Sequence, residues 1–120
     1  MFPVDVVFRN MESDPTLETS IVERAQALSK VHRRIERCRI VVDRPHQHRV
    51  EGGPYAVRIH CAVPGDDVVV ETHVPAPELG DRESIRRADA RKAAHRDLSV
   101  VLHEAFDAAR RRLRERARAE

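Results

Sequence analysis

Aromatic side chains are scarce. Three Phe, one Tyr and no Trp make up 3% of the 120 residues. A sheet face of stacked aromatics, the device that reads unpaired bases in RRM domains, is therefore disfavoured. Cysteine is as sparse: Cys38 and Cys61 cannot build the framework of a disulfide-stapled domain. There are four glycines, and none stands in a phosphate-cradling loop or a nucleophile elbow. A His-Glu-x-x-His pattern is also missing, so catalysis is not expected. No run approaches the roughly 18 apolar residues that span a bilayer. The start, Met1-Phe-Pro-Val-Asp-Val-Val-Phe-Arg9, has no basic region followed by an apolar core, so it does not read as a signal peptide. A reducing cytoplasm is the expected compartment. There the two thiols are expected to act as small buried hydrophobes.

What is present is charge and valine. Charged residues make up 35% of the chain, yet 22 basic and 20 acidic side chains leave a net charge of only +2. The balance is uneven along the chain. Residues 1–81 hold 10 basic and 13 acidic groups; residues 82–120 hold 12 and 7. The basic excess is thus C-terminal, and it is almost all arginine, 20 Arg against 2 Lys. Arginine pairs bidentately with phosphate and stacks on bases, although a coding bias toward Arg, Ala and Val gives the same composition. Valine supplies 16 residues, which favours a sheet. One domain is expected at this length.

Periodicity orders the elements. Val4, Val6 and Phe8 alternate with Asp5 and Arg9 in a first strand, 4–9. Asp14 is an N-cap candidate with Pro15 at the first helical position. Leu17, Ile21, Ala25, Leu28 and Val31 then form one stripe, predicting a helix over 15–31. Cys38, Ile40 and Val42 alternate with Arg37, Arg39 and Asp43 in a second strand, 36–43. A polar loop, 45–54, carries Gly52-Gly53. Tyr55, Val57, Ile59, Cys61 and Val63 alternate in a third strand. Pro64-Gly65-Asp66-Asp67 reads as a tight turn into a fourth strand, 68–74. Residues 75–95 lack an apolar stripe and read as an irregular linker. Leu98, Val101, Leu102, Ala105, Phe106, Ala109 and Leu113 predict a last helix over 96–117.

The order strand, helix, three strands, helix predicts an α+β two-layer sandwich, β-α-β-β-β-α. Two helices cover one face of a four-stranded sheet. The other face carries Arg37, Arg39, Arg58, His60, Glu71 and His73 and is expected to be wet. The last helix ends in Arg110-Arg-Arg-Leu-Arg-Glu-Arg-Ala-Arg118, six arginines in nine residues. Two readings of this segment stay open. Cations in the last turns complement the helix dipole on a solvated end. Alternatively, Arg111 and Arg114 share one side, with Arg33 and Arg34 near it, and form a phosphate-binding face. Seven histidines raise a metal reading: His46 and His48 lie one residue apart in the loop, and His60 and His73 can meet across the hairpin. Paired ligand spacing of the zinc type is missing, so no metal and no cofactor are expected.

The element order, together with four segments, resembles the ribosome hibernation promoting factors, also described as ribosome-associated inhibitors or sigma-factor modulation proteins. The segments are Arg9-Asn-Met11, Arg34-Ile-Glu36, Tyr55-Ala-Val-Arg-Ile-His-Cys-Ala-Val-Pro-Gly65 and Ala105-Phe-Asp-Ala-Ala-Arg-Arg-Arg-Leu113. The resemblance covers residues 4–74 and 96–117, in the short form of the family. It implies a fold like a double-stranded-RNA-binding domain. It implies binding to the small ribosomal subunit and its ribosomal RNA across the channel of messenger and transfer RNA. Translation is then blocked under stress without catalysis. The positions matching the family's RNA-binding residues are Lys30, Arg33 and Arg34 at the end of the first helix and Arg110, Arg111, Arg112 and Arg114 on the second. Three departures stand out. The linker 75–95 is longer than the family's crossing. Ser99 stands where an aromatic is common. The chain stops at Glu120, where the long form continues into a separate dimerisation domain. A different class of reading, a homodimeric module whose wet sheet face meets a protein, remains the alternative.

Overall fold

A computed structural model describes residues 1–44, 55–73 and 87–119 of the chain. Four strands and two helices follow the order β1 (Val4–Arg9), α1 (Pro15–Ala27), β2 (Arg37–Asp43), β3 (Ala56–Ala62), β4 (Val68–His73) and α2 (Arg87–Ala119). A single 3-10 turn, Leu28–Lys30, extends α1. The sheet order is β1-β2-β3-β4. The β1–β2 pair is parallel, with Val6 opposite Ile40. Parallel neighbours need a crossover, and α1 supplies it. The other two pairs are antiparallel.

Local chemistry explains the ends of these elements. Asp14 caps α1: its Oδ1 accepts from the N–H groups of Thr16 at 3.1 Å and Leu17 at 3.2 Å. Pro15 follows at the first helical position, where its missing N–H costs nothing. Asn10 turns the chain out of β1 at φ 59°, a conformation that Asn tolerates better than most side chains. Its Nδ2 donates to Asp43 Oδ1 at 2.9 Å and ties the ends of β1 and β2.

One apolar core lies between the sheet and both helices. From α1 it takes Ile21 and Ala25, with Leu28 from the turn that follows. From the sheet it takes Cys38, Ile40, Val42, Val57, Ile59, Cys61, Val68 and Val70. From α2 it takes Val101, Leu102, Ala105, Phe106, Ala109 and Leu113. The helices also touch each other, since the Arg24 guanidinium lies 6.0 Å from the Phe106 ring centre. This is the two-layer α+β arrangement that the alternation predicts.

Two expectations need correction. The last helix begins at Arg87 and not at 96, so 87–95 are helical rather than irregular. Ala88, Ala90, Ala93 and Ala94, with Arg87, Arg91 and Lys92, are strong intrinsic helix formers. Propensity carries the helix where no apolar stripe marks it. Residues 75–86 lie outside the described residues. The second correction concerns His60 and His73. The register sets His60 opposite Val69 and His73 opposite Ala56, so they are not cross-strand neighbours. His60 Nε2 instead meets Asp67 Oδ2 at 2.7 Å.

Candidate nucleic-acid interface

The ends of the two helices meet at a shallow cleft of about 380 Å³. Lys30, Val31, His32, Arg33 and Arg34 line it from the end of α1, and Ala117 lines it from the end of α2. The fold builds this meeting from the core upward. Leu28 and Ile35 are buried on either side of the segment and hold it down. Between them His32 is buried, and its Nδ1 accepts the Arg34 N–H at 3.1 Å. Lys30, Arg33 and Arg34 are left exposed around that anchor.

Across the cleft, Leu113 is fully buried and fixes the rotation of α2. Residues three, four and seven apart share a helix face. Arg110, Arg114 and Ala117 therefore lie on one strip, and Ala117 places that strip toward the end of α1. Arg111, Arg114 and Arg118 form the next strip outward. All four of these arginines are exposed.

The six arginines of the helix end have different roles. Arg110 Nη2 contacts Asp107 Oδ1 at 2.8 Å, and Arg111 Nη1 stands 3.6 Å from Asp107 Oδ2. The Arg110 hydrogen bond, with the Arg111 charge beside it, holds the Asp107 carboxyl below its ordinary range. Arg112 turns to the other flank and donates to the Val69 carbonyl oxygen at 3.4 Å. Arg116, on that same flank, donates to the Pro64 carbonyl oxygen at 2.8 Å. Among the described residues, no carboxylate pairs with Lys30, Arg33, Arg114 or Arg118.

The structure thus brings Lys30, Arg33 and Arg34 to one cleft beside Ala117 of α2. Arg110 and Arg114 share the helix strip of Ala117 without lining the cleft, and Arg111 lies on the adjoining strip. It sets Arg112 apart, toward β4. Two features escaped the sequence reading. Arg118 sits seven residues after Arg111, and that spacing is a signal for the shared face. Arg116 and its contact with the β3–β4 turn had no sequence signal, because it joins segments 52 residues apart.

A cluster of cations on two helix ends over a covered sheet suits an extended phosphate backbone better than a small ligand. The family model described as sigma 54 modulation protein / S30EA ribosomal protein matches residues 4–119. The chain belongs to this family. It is a family of ribosome-associated hibernation factors and not of enzymes. Membership places the chain with translation regulation and the stress response, and supports a ribosomal partner. Two solved structures share the fold. The N-terminal domain of Protein Y from Thermus thermophilus is 16% identical, with a TM-score of 0.64 over 96% of this chain and 98% of that one. A ribosomal subunit interface protein from Coxiella burnetii is 8% identical, with a TM-score of 0.50 over 90% and 93%. No curated protein matches the chain. No helix among the described residues is long and apolar enough to cross a membrane.

Proposed function

We propose that this chain docks on the small ribosomal subunit through the cleft between its helix ends and blocks the channel of messenger and transfer RNA. The carrying observation is the placement of Lys30, Arg33 and Arg34 directly beside the arginine-rich end of α2. Lys30, Arg33, Arg34, Arg110, Arg111 and Arg114 meet ribosomal RNA phosphates, with Arg112 at the margin. Binding follows from counterion release and from the fixed spacing of the two helices. Base reading is a small part of it. The aromatics Phe2, Phe106 and Tyr55 are buried, and Phe8 is partly buried against the core. Inhibition is steric, with no bond made or broken.

The dimer-module reading draws less support. Among the described residues, the exposed large apolar side chains are Met1 and Val100, and neither belongs to a strand. The outer sheet face carries charge instead, with Arg39 Nε 3.8 Å from Asp5 Oδ2. Dimer interfaces bury more apolar surface than that face offers.

Hydroxyl-radical footprinting of small subunits tests the proposal. The protein is expected to protect ribosomal RNA lining the messenger and transfer RNA channel. Protection confined to another surface, or none at saturating protein, contradicts it.

A further inference from the structure

Cys38 and Cys61 stand directly opposite each other on β2 and β3. The Cys38 N–H donates to the Pro3 carbonyl oxygen, toward β1, at 3.0 Å. A strand residue points its N–H and C=O to the same side, so Cys38 turns both away from β3. The pair is therefore of the non-hydrogen-bonded kind, in which opposed Cα atoms lie about 4.5 Å apart and side chains come closest. That spacing lies within the range of roughly 4.4–6.8 Å that a disulfide spans. The two Sγ atoms are 3.0 Å apart, and both residues are buried in the core. The neighbouring inward pair, Ile40 and Ile59, fills the same layer with plain hydrocarbon. Two facing thiols add to packing a chemistry that the ribosome-binding surface does not use.

We propose that Cys38 and Cys61 are a redox modification site, a dithiol that a peroxide converts to an intrachain cross-strand disulfide. The shared hydrogen bond pushes the Cys38 thiol up, with burial acting the same way, and holds Cys61 down. Cys61 is therefore the first nucleophile. Its thiolate attacks one peroxide oxygen and the O–O bond breaks, leaving a sulfenic acid on Cys61 and a hydroxide that takes up a proton to become water. The Cys38 sulfur then attacks the Cys61 sulfur. The S–O bond breaks, and the leaving hydroxide departs as water with the Cys38 proton. Two electrons pass from the dithiol to the peroxide, which ends as two waters. Burial beneath the helices favours this small oxidant over bulky disulfides, which must reach the sulfur in line. Disulfides of reducing compartments are characteristically transient and redox-sensing. The bond ties the first residues of β2, just after Arg33 and Arg34, to the end of β3. It restricts the unfolded chain and so raises the melting temperature.

The site is independent of the ribosome reading, and its test needs no ribosome. Reduced full-length protein is exposed to hydrogen peroxide, denatured, alkylated and weighed by mass spectrometry. Alkylatable thiols are expected to fall from two per chain to none, with the loss of two hydrogens and a cross-linked peptide containing Cys38 and Cys61. Dithiothreitol should restore both thiols, and the oxidised form should melt at the higher temperature. Equilibration in mixtures of reduced and oxidised dithiothreitol, warmed to speed opening of the core, gives the same reading when peroxide enters slowly. Two thiols that persist in both experiments overturn the proposal. So does oxidation that yields only sulfinic acid or interchain dimers.

Discussion

Arg116 donates to the Pro64 carbonyl oxygen at 2.8 Å, and its other amino group stands 4.0 Å from Asp66. One arginine of the basic segment thus serves the fold. It latches the last turns of α2 to the β3–β4 turn and fixes where the outward arginines point. Gly65 makes the latch possible. It sits at φ +90°, and a side chain there would run into the Arg116 guanidinium.

The latch predicts a coupled pair of effects. Arg116→Ala should cost about 0.5–1.5 kcal/mol, the net worth of a typical hydrogen bond. Gly65→Ala should cost about 1–2 kcal/mol from the backbone alone, more with the guanidinium in the way. The double variant should lose less than the sum, because the added methyl group then has no guanidinium to meet. Urea unfolding of the four proteins checks this; strict additivity contradicts it.

Leu113 separates packing from charge. It is fully buried between exposed arginines. Leu113→Ala should cost about 2–5 kcal/mol. Arg114→Glu, one residue on and exposed, should change stability by less than about 0.5 kcal/mol. Denaturant midpoints compared with circular dichroism of the folded proteins decide between them.

The helices and the sheet were legible because their signals are local. Asp14 with Pro15 marks the start of α1, and the stripe from Leu98 to Leu113 marks the buried face of α2. Residues 87–95 were not legible as helix, since alanine propensity leaves no period of apolar positions. The basic clusters were visible as clusters, but their partition was not. Arg112 turns to β4 and Arg116 to the β3–β4 turn, while Arg114 lies on the strip of Ala117, and only the packing of Leu113 decides that rotation. The facing of Cys38 and Cys61, and the pairing of His60 with Asp67 instead of His73, depend on strand register, which alternation alone leaves open.

Asp67 predicts an acid limb in stability. The His60 hydrogen bond holds its carboxyl below the ordinary 3.8. On acidification the unfolded chain takes up this proton before the folded one does. The stabilisation is therefore complete above the ordinary value and is lost as pH falls through the lower, folded one. Asp67→Asn should flatten that limb in urea unfolding carried from neutral to acid pH. An unchanged acid limb contradicts the assignment.

Asp107 restrains two of the arginines assigned to RNA. Asp107→Asn removes the carboxylate from Arg110 and Arg111 and should tighten binding to any duplex RNA at low salt. The steeper salt dependence should correspond to about one further phosphate contact. Binding titrations at several salt concentrations check both; weaker binding contradicts the role.

The central claim is that the helix-end arginines hold the protein on the small subunit. The direct measurement is co-sedimentation of the Arg111→Glu, Arg114→Glu double variant with purified small subunits, beside the wild-type protein. The variant is expected to keep its circular dichroism and melting temperature but to stay at the top of the gradient, while the wild type travels with the subunits. A folded variant that sediments with the subunits as the wild type does would contradict it.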